Sequence, residues 1–308
     1  MNRLCLVFLI PFLALSQDTN FPAVNGQIPG PFRPQSPKWQ TARDESRADQ
    51  AATRARWIAD LKQWRTEYLI RIGYSGTEYE RPELKWTQRN FIQPQMMVED
   101  RYFYDPVTRQ YTVDRYLDDL DKRYGGIDSV LIWPVYPNIG IDNRNQWDLT
   151  RDMPGGIAGL KKMVADFHRR NVKVYFPAMP WDTGTREEGV PPPEATARLL
   201  AEIGADGING DTMSGFPKSY RAASDRTGHP VALEPEVPPQ GDEALMWNTQ
   251  SWAYWRFTFE PSVSKLKWLE PRHLVHICNR WARDKTDELQ NAFFNGVGFE
   301  TWENVWGV

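Results

Sequence analysis

The feature that most constrains the fold is a strand–helix alternation that runs from about residue 93 towards the end of the chain. Short apolar runs typical of β-strands end in polar or aromatic residues, and a stretch with helical periodicity follows each of them. The seven runs cover residues 96–99, 129–135, 172–179, 207–211, 230–234, 274–278 and 296–300. Because the runs are apolar on both faces, they predict a parallel sheet covered by helices.

The number of repeats favours a closed barrel. The amphipathic stretches centre on residues 113–123, 155–170, 193–203, 217–224, 262–269 and 286–296. Seven repeats over about 215 residues predict an α/β fold of the (β/α)₈ TIM-barrel class, which typically needs about 250 residues. A doubly wound open parallel sheet is the alternative, but no Gly-x-Gly-x-x-Gly turn follows the first run. We expect this chain to lack the last β/α unit of the barrel.

The first residues predict export. Arg3 precedes an almost wholly apolar run over residues 4–15, and Ala14-Leu15-Ser16 has the small residues that precede a signal-peptidase cleavage site. The run is too short to span a bilayer comfortably. We therefore expect a signal peptide over residues 1–16, a secreted or periplasmic location, and no membrane association beyond that peptide.

Three further segments follow the predicted signal peptide. Residues 17–41 are rich in Pro, Gly, Asn and Gln and predict an extended leader. Residues 42–92 begin with an amphipathic helical pattern, so we expect a helix and a connecting segment packed on the barrel. The barrel then occupies residues 93–308, with a C-terminal truncation indicated by the missing unit.

Composition and charge narrow the functional classes. The chain has 37 Lys and Arg residues against 40 Asp and Glu residues, so charge gives no reason to expect nucleic acid or an anionic membrane as partner. No Cys/His spacing is typical of a zinc site, and with no dinucleotide motif we expect neither metal nor cofactor. The 14 Trp residues include rings suited to stacking on sugars, which favours a carbohydrate substrate.

Carboxylates and Trp rings recur just past the predicted strand ends. In a TIM barrel these are the usual catalytic positions, and glycoside hydrolysis requires paired carboxylates. The candidate substrate-binding residues are Asp100, Arg101, Trp133, Trp181, Asp182, Asn209, Glu234, Arg280, Trp281 and Trp302. The candidate catalytic residues are Asp211, Asp284, Glu300 and Glu303.

The most specific segment is residues 204–211, Gly-Ala-Asp-Gly-Ile-Asn-Gly-Asp. It resembles the fourth strand of the retaining α-glycosidases of the α-galactosidase and α-glucosidase clan. In α-glucosidases of that clan, an Asp-Gly-x-x-x-Asp segment ends in the nucleophile. The resemblance implies that Asp211 is the nucleophile and that Asp206 lies at the start of the strand. The alternative is that Asp211 caps the helix that follows, since Asp is a preferred N-cap residue.

A second segment, residues 281–287, has the sequence Trp-Ala-Arg-Asp-Lys-Thr-Asp. It looks like the segment after strand six in α-galactosidases, where a Trp precedes a turn whose Asp is the acid/base. The resemblance implies that Asp284 protonates the leaving oxygen and that Arg280 or Arg283 binds substrate hydroxyls. The alternative is that Asp284 is the N-cap of the helix that begins near Thr286.

The sequence also departs from that clan. Thr-Met-Ser follows Asp211 where α-glucosidases carry Asp-Met-Asn-Glu or a similar sequence, and Asn209-Gly210 replaces the Lys-aromatic pair of α-galactosidases. The resemblance therefore does not assign a sugar. At the last predicted strand, Glu300 or Glu303 offers a competing proton donor opposite Asp211, although Glu300 could equally be a buried structural residue paired with an Arg.

Two functions of different classes remain open at this stage. The first is an exported carbohydrate-active hydrolase of the retaining α-glycosidase kind, with the nucleophile at the end of strand four. The second is a non-catalytic carbohydrate-binding barrel within a larger exported protein. A metal-dependent hydrolase is less favoured, because no His-x-His pair follows the first strand. The sugar, the linkage and the oligomeric state are left open by the sequence.

Overall fold

The computed structural model describes residues 47–98, 100–138, 142–253, 264–278, 284 and 286–303. The predicted signal peptide and leader lie outside these ranges. The strands, in chain order, are β1 (Ile92–Met97), β2 (Tyr104–Asp105), β3 (Gln110–Tyr111), β4 (Ser129–Trp133), β5 (Lys173–Ala178), β6 (Gly207–Gly210), β7 (Ala232–Pro235), β8 (Gln250–Ala253), β9 (Leu274–Cys278) and β10 (Gly298–Glu303). Strands β2 and β3 form a short antiparallel ribbon, and the other eight form one parallel sheet.

The parallel sheet curls into a barrel. Its strand order is β7-β6-β5-β4-β1-β10-β9-β8, so the last strand of the chain pairs with the first, with Ile92 opposite Phe299. Cα atoms of the two terminal strands of this ladder, β7 and β8, approach within 8 Å of each other. An open doubly wound sheet would keep its edges apart. The (β/α)₈ prediction is therefore confirmed, and the doubly wound alternative is wrong.

The predicted absence of an eighth strand is also wrong. Strand β8, Gln250–Ala253, lies in the segment between the fifth and sixth predicted runs and completes the barrel. It has only four residues, and Gln250 and Ser251 are both fully buried although polar. A buried strand with polar side chains leaves no apolar run in the sequence, which is why the pattern did not reveal it. Strand β1 begins four residues earlier than predicted for the same reason, since Gln93 and Gln95 are buried polar residues.

Helices surround the barrel. Each of the six helices predicted from the strand–helix repeat is present, with its ends within two residues of the prediction, and the predicted N-terminal helix is described from Arg47. The helices are α1 (Arg47–Arg71), α2 (Val113–Tyr124), α3 (Gln146–Arg151), α4 (Gly156–Arg169), α5 (Pro192–Ile203), α6 (Lys218–Arg226), α7 (Ser264–Leu269) and α8 (Thr286–Asn295). Helix α1 contacts α7, and its Trp64 and Tyr68 pack on the apolar cluster around Leu266. No helix within the described ranges is both long and apolar enough to cross a membrane.

The two faces of the barrel strands bury different side chains. Because side chains alternate along a strand, Val130 and Ile132 join the apolar layer beneath the helices, whereas Leu131 and Trp133 face the interior. The interior is unusually polar. Its fully or almost fully buried members include Gln93, Gln95, Tyr175, Asn209, Glu234, Gln250, Trp252, His276 and Glu300. Groups that can form hydrogen bonds therefore lie inside the barrel, below the C-terminal ends of the strands.

The lower part of the interior is filled and closed. Tyr175 hydrogen-bonds Gln250 across it, and a Cβ at Gly207 would lie 2.1 Å from the Tyr175 ring, so only glycine leaves room for this tyrosine. The 3₁₀-helix Pro82–Arg89 covers the N-terminal end, where its buried Leu84 packs on Tyr175 and neighbouring interior residues. Access to the interior is therefore from the C-terminal end of the strands.

Candidate functional site

Asp211 lies at the C-terminal mouth of the barrel, directly after β6. Its backbone N–H donates to Ala178 O at 3.0 Å, and its Oδ2 accepts the indole N–H of Trp181 at 2.7 Å. The chain turns sharply here, because a Cβ at Gly210 would lie 2.6 Å from the sulfur of Met213. A glycine before Asp211 is thus required by packing. The result is a half-buried carboxylate whose orientation is fixed by a neutral donor.

Three aromatic rings form a row beside this carboxylate. The ring centroids of Trp133 and Tyr136 are 5.6 Å apart, and those of Tyr136 and Trp181 are 5.9 Å apart. Trp133 is almost fully buried, whereas Tyr136 and Trp181 are half-buried. The row ends at the Trp181–Asp211 hydrogen bond. Ring faces next to a few convergent polar groups are typical of sites that bind small polar molecules such as sugars.

Glu236 is a second carboxylate at the mouth; it also follows a predicted strand but is not among the predicted catalytic or substrate-binding residues. In the β6–β7 register Gly210 lies opposite Pro235, and Glu236 N donates to Gly210 O at 3.0 Å. Glu236 Oε2 accepts the N–H of Thr212 at 2.6 Å, so this carboxylate lies next to the peptide that follows Asp211. The signal that could have identified it is two-residue alternation from Glu234, which places both side chains on the inner face.

Thr212 adopts a backbone conformation that side chains other than glycine rarely take. Its φ is +61°, in the left-handed region. Such a conformation costs about 1–3 kcal/mol and is retained where the surrounding structure or the function requires it. Here it turns the Thr212 N–H towards Glu236, which ties the ends of two neighbouring strands together at the carboxylates.

Below the mouth lies a layer of buried polar atoms without partners. Asn209 and Glu234 are neighbours in the β6–β7 register, and neither has any exposed surface. Within the part of the chain that the structure describes, both amide atoms of Asn209, Oε2 of Glu234 and Nε1 of Trp133 have no hydrogen-bond partner. Buried polar groups usually have partners, because each unpartnered one costs about 1–3 kcal/mol. These atoms are suited to accept and donate hydrogen bonds to hydroxyl groups.

The other oxygen of Glu234 is anchored by a buried histidine. Nδ1 of His276 lies 2.5 Å from Glu234 Oε1, and its Nε2 hydrogen-bonds the carbonyl of Asn90. Burial alone lowers the pKa of His276, but the charge and hydrogen bond of Glu234, with the Asn90 carbonyl and Glu300, outweigh burial and raise it above its ordinary value. Both ring nitrogens face oxygen atoms, so the ring is held between Asn90 and Glu234 and fixes the Glu234 carboxyl group.

Three of the predicted substrate-binding residues have structural contacts at the rim. The buried side chain of Asp100 accepts the N–H of Tyr102 at 2.7 Å, and the exposed Arg101 lies in the same turn. Asp182 accepts the Gln146 N–H at 2.9 Å and so holds the start of α3. These contacts support the rim. A role of Asp100, Arg101 and Asp182 in substrate binding stays a prediction.

The other predicted catalytic residues are distributed differently from Asp211. Asp284 is exposed and accepts hydrogen bonds from the N–H and the hydroxyl of Thr286 at 2.9 and 2.7 Å, which is the geometry of the capping alternative. The Thr286 N–H, and then its hydroxyl, lower the pKa of Asp284. Glu300 is fully buried inside the barrel, opposite Gln93 on β1. Arg280 and Trp281, and the side chains of Trp302 and Glu303, lie outside the described part of the chain.

Asp206 lies at the opposite end of β6, where the resemblance placed it. Its carboxylate lies 2.8 Å from Lys173 Nζ and 2.6 Å from His168 Nε2, and it accepts the N–H of Val174 at 2.9 Å. Burial, the largest influence, raises the pKa of Asp206, but the hydrogen bonds and charges of His168 and Lys173 outweigh it and hold that pKa below its usual range. This carboxylate is fully engaged in the fold.

Neither a metal site nor a sequence relative identifies the function of this site. Among the described residues, no group of three or more His, Cys, Asp or Glu side chains could hold a metal ion. No protein-family model matches the chain, and no curated protein matches it by sequence.

Solved structures of similar fold include glycoside hydrolases. They include a β-L-arabinopyranosidase from Geobacillus stearothermophilus (15% identity over 73% of this chain and 74% of that chain, TM-score 0.49). They also include an α-N-acetylgalactosaminidase from Bifidobacterium bifidum (16% identity over 78% of this chain and 51% of that chain, TM-score 0.47). A third is an α-amylase from Geobacillus thermoleovorans (13% identity over 70% of this chain and 70% of that chain, TM-score 0.42). At these identities and TM-scores the likeness says nothing about chemistry. The barrel assignment rests on the strand order of this chain.

Proposed function

We propose that the protein is an exported carbohydrate-active hydrolase that works as a retaining α-glycosidase, with Asp211 as its nucleophile. The observation that carries the proposal is the Trp181–Asp211 hydrogen bond of 2.7 Å at the barrel mouth, at the end of the row formed by Trp133, Tyr136 and Trp181. A carboxylate oriented beside ring faces is the arrangement that attack on a stacked sugar requires.

The proposed reaction has two steps. The Asp211 carboxylate attacks the anomeric carbon while the glycosidic C–O bond breaks, and a second carboxylic acid gives its proton to the leaving oxygen. The same residue then removes a proton from water, whose oxygen attacks the anomeric carbon and releases Asp211. The indole N–H of Trp181 orients the Asp211 carboxylate through the 2.7 Å hydrogen bond to its Oδ2.

Glu236 is the second carboxylate that the structure favours. Its Oε2 lies 2.6 Å from the Thr212 nitrogen, one peptide from Asp211, and the alternation of side chains directs both residues to the inner face. Asp284 is exposed and caps a helix, and Glu300 is enclosed by the barrel. A retaining mechanism requires carboxyl groups about 5–5.5 Å apart, a separation that neighbouring strand ends provide.

The layer below the mouth suits the hydroxyl groups of the bound sugar. Asn209 offers an amide that can donate and accept, and Glu234 offers Oε2 as an acceptor, while His276 holds its Oε1. A sugar whose hydroxyls reach these atoms recovers the hydrogen bonds that they lack among the described residues. This layer would set which sugar is accepted, because a site built to bind a hydroxyl strongly rejects analogues without it.

A panel of aryl α-glycosides tests the proposal. We expect the wild-type protein to hydrolyse at least one sugar of the panel, and Asp211→Asn to lose that activity. Azide should restore turnover in Asp211→Gly with formation of a β-glycosyl azide, since the small anion replaces the missing nucleophile. Glu236→Gln should be slowed most on substrates with poor leaving groups, by about 10²–10⁴-fold. Asp284→Asn is the matched control and should stay active.

Each result bears on a different part of the proposal. Undiminished hydrolysis by Asp211→Asn would contradict its role as nucleophile. Equal slowing of good and poor leaving groups by Glu236→Gln would remove Glu236 as the acid/base, and loss of activity in Asp284→Asn would restore the assignment implied by the sequence.

A non-catalytic carbohydrate-binding barrel is the second candidate function. The observation that favours it is Asn209-Gly210 in β6, where the α-galactosidases that the segment resembles carry a Lys and an aromatic residue before the nucleophile. This candidate predicts saturable glycan binding that survives Asp211→Asn, with no turnover of any glycoside by the wild-type protein.

Export is a separate part of the proposal. It rests on the apolar run of residues 4–15 and the small residues Ala14 and Ser16. Expression of the whole reading frame should place the protein outside the cytoplasmic membrane, with Gln17 as the first residue of the mature chain. N-terminal sequencing of the protein in the extracellular or periplasmic fraction tests this. An intact Met1 on the exported protein would contradict cleavage, and finding the protein only in the cytoplasm would contradict export.

A further inference from the structure

A second cavity lies on the opposite face of the barrel from Asp211. It has a volume of about 680 Å³ and opens beneath the N-terminal ends of β1, β4 and β5, beside the 3₁₀-helix Pro82–Arg89. Its lining includes Trp86, Arg89, Asn90 and Lys173. The N-terminal face of such a barrel ordinarily serves stability. Here it carries an open cavity lined by polar and apolar groups in about equal measure.

Trp86 gives this cavity a fixed aromatic wall. Its indole N–H donates to the Glu83 carbonyl at 2.9 Å, and its ring meets Tyr175 edge-on, with centroids 5.8 Å apart. Nζ of Lys173 lies 5.3 Å from the centre of the same ring. The ring is thus held on several sides and its polar atom is satisfied, so it is available to a ligand as an apolar surface.

Asn90 adds a buried acceptor at the edge of this cavity. Only 1% of its surface is exposed, and its Nδ2 lies 3.4 Å from the Tyr175 hydroxyl. Its Oδ1 has no hydrogen-bond partner among the described residues. A ligand hydroxyl can supply the missing donor.

The charge of the rim selects the ligand further. Lys85 and Arg89 are both exposed at the cavity, one turn apart. The acids that also line it are engaged elsewhere: Asp128 accepts two backbone N–H groups at 2.8 and 3.0 Å, and Glu80 pairs with Arg272. Lys85 is only 3.9 Å from Glu80, a loose and exposed contact. The excess charge presented to a ligand is positive.

We propose that this cavity binds an acidic oligosaccharide, a chain of uronic-acid sugars. One sugar ring lies against Trp86, a hydroxyl donates to Asn90 Oδ1, and the carboxylate pairs with Arg89, whose planar guanidinium matches a carboxylate in two hydrogen bonds. Lys85 adds longer-range attraction. The site is separate from the barrel mouth, so the proposal does not depend on hydrolysis at Asp211.

Calorimetric titration with tetragalacturonate, and with maltotetraose as the neutral probe, tests this site. We expect the wild-type protein to bind tetragalacturonate at least ten times more tightly than maltotetraose, with an affinity that falls as NaCl is raised from 50 to 500 mM. The double variant Lys85→Gln/Arg89→Gln should lose at least tenfold in affinity. The exposed-charge control Lys122→Gln/Arg109→Gln should bind as the wild type does.

Two further variants locate the binding. Trp181→Leu removes a ring from the aromatic row at the mouth and should bind tetragalacturonate as tightly as the wild type, because the cavity is on the other face. Trp86→Leu should lose binding of tetragalacturonate. An unfolding curve of this variant shows whether the barrel is still folded. If the barrel is unfolded, the test rests on the Lys85→Gln/Arg89→Gln variant. Equal affinity for the two sugars, or unchanged binding by Lys85→Gln/Arg89→Gln, would overturn the proposal. Loss of binding in Trp181→Leu would instead assign the acidic sugar to the mouth.

Discussion

Asp206 and Asp211 belong to the two ends of one strand, β6, and their surroundings differ in kind. Asp206 has 10% of its side chain exposed and is held by Lys173, His168 and a backbone N–H at the N-terminal end. Asp211 is half-buried at the mouth, where it accepts the neutral indole N–H of Trp181. Both residues are aspartates, so it is the groups bonded to each carboxylate that separate a structural carboxylate from a candidate catalytic one.

The difference has a physical reason. Cationic partners fix the charge of Asp206 and use its oxygens inside the fold, so moving it costs stability. Asp211 lies half-buried at the mouth, where its carboxylate can face the positive charge that develops at the anomeric carbon in the transition state. The comparison predicts that the two aspartates respond oppositely to substitution.

The largest expected effect is on catalysis by Asp211→Asn. On a sugar that the wild type hydrolyses, kcat should fall by at least about 10³-fold, because an amide is a far poorer nucleophile than a carboxylate. The free energy of unfolding should stay within about 1 kcal/mol of the wild-type value. Steady-state kinetics and urea unfolding measure the two quantities, and a variant that is active, or inactive only because it is unfolded, would break the comparison.

The second largest expected effect is the loss of stability in Asp206→Ala. The free energy of unfolding should fall by about 2 kcal/mol, less than for a fully buried pair because Lys173 and His168 are each more than a third exposed. Asp206→Asn is the matched control, since it keeps an acceptor for Val174 N–H and should lose less. Activity per folded molecule should be unchanged in both. A loss of kcat without loss of stability would be the contrary result.

The alternation of strands and helices could be predicted, because parallel strands buried on both faces leave apolar runs in the sequence. The run at residues 274–278 coincides with β9. Strand β8 could not be predicted from the same pattern, since its Gln250 and Ser251 are buried polar residues. The interior of the barrel, and not the helix-facing side, limited what the sequence revealed.

The candidate site was predictable in part. Asp211 and Trp181 both follow predicted strands, but the hydrogen bond between them joins residues 30 positions apart and depends on the barrel register. Glu236 also follows a predicted strand, but the sequence does not show that its oxygen accepts the Thr212 N–H next to Asp211. Asp284 could not be distinguished from a helix cap, because the sequence does not show that its oxygen accepts from Thr286.

A smaller effect is expected from Trp181→Phe. The ring remains in the aromatic row, but the indole N–H to Asp211 is lost, which should lower kcat about tenfold, equivalent to about 1.4 kcal/mol. Trp86→Phe is the control, because it also loses an indole hydrogen bond, the 2.9 Å contact with the Glu83 carbonyl, but at the opposite end of the barrel. If the two variants are slowed equally, the hydrogen bond to Asp211 has no special role.

The smallest effect is the pH dependence that Asp206 contributes. Its pKa is lowered in the folded state by His168 and Lys173. A carboxylate with a lowered folded pKa stabilises above its unfolded pKa, about 3.9, and this contribution is lost as pH falls through the folded value. The stability difference between wild type and Asp206→Ala should therefore be constant near neutrality and shrink below about pH 4. Urea unfolding across this range measures it, and a difference that grows on acidification would contradict the pairing.

The most direct test of the central claim is to trap the covalent intermediate on Asp211. The wild-type protein is incubated with the 5-fluoro-α-glycosyl fluoride of the sugar that the aryl panel identifies, then digested and mapped by mass spectrometry. We predict one glycosyl adduct, on the peptide that contains Asp211, and none in Asp211→Asn. An adduct on Glu236 or Glu300, or rapid turnover to a product of inverted configuration with no adduct, would contradict the proposed nucleophile.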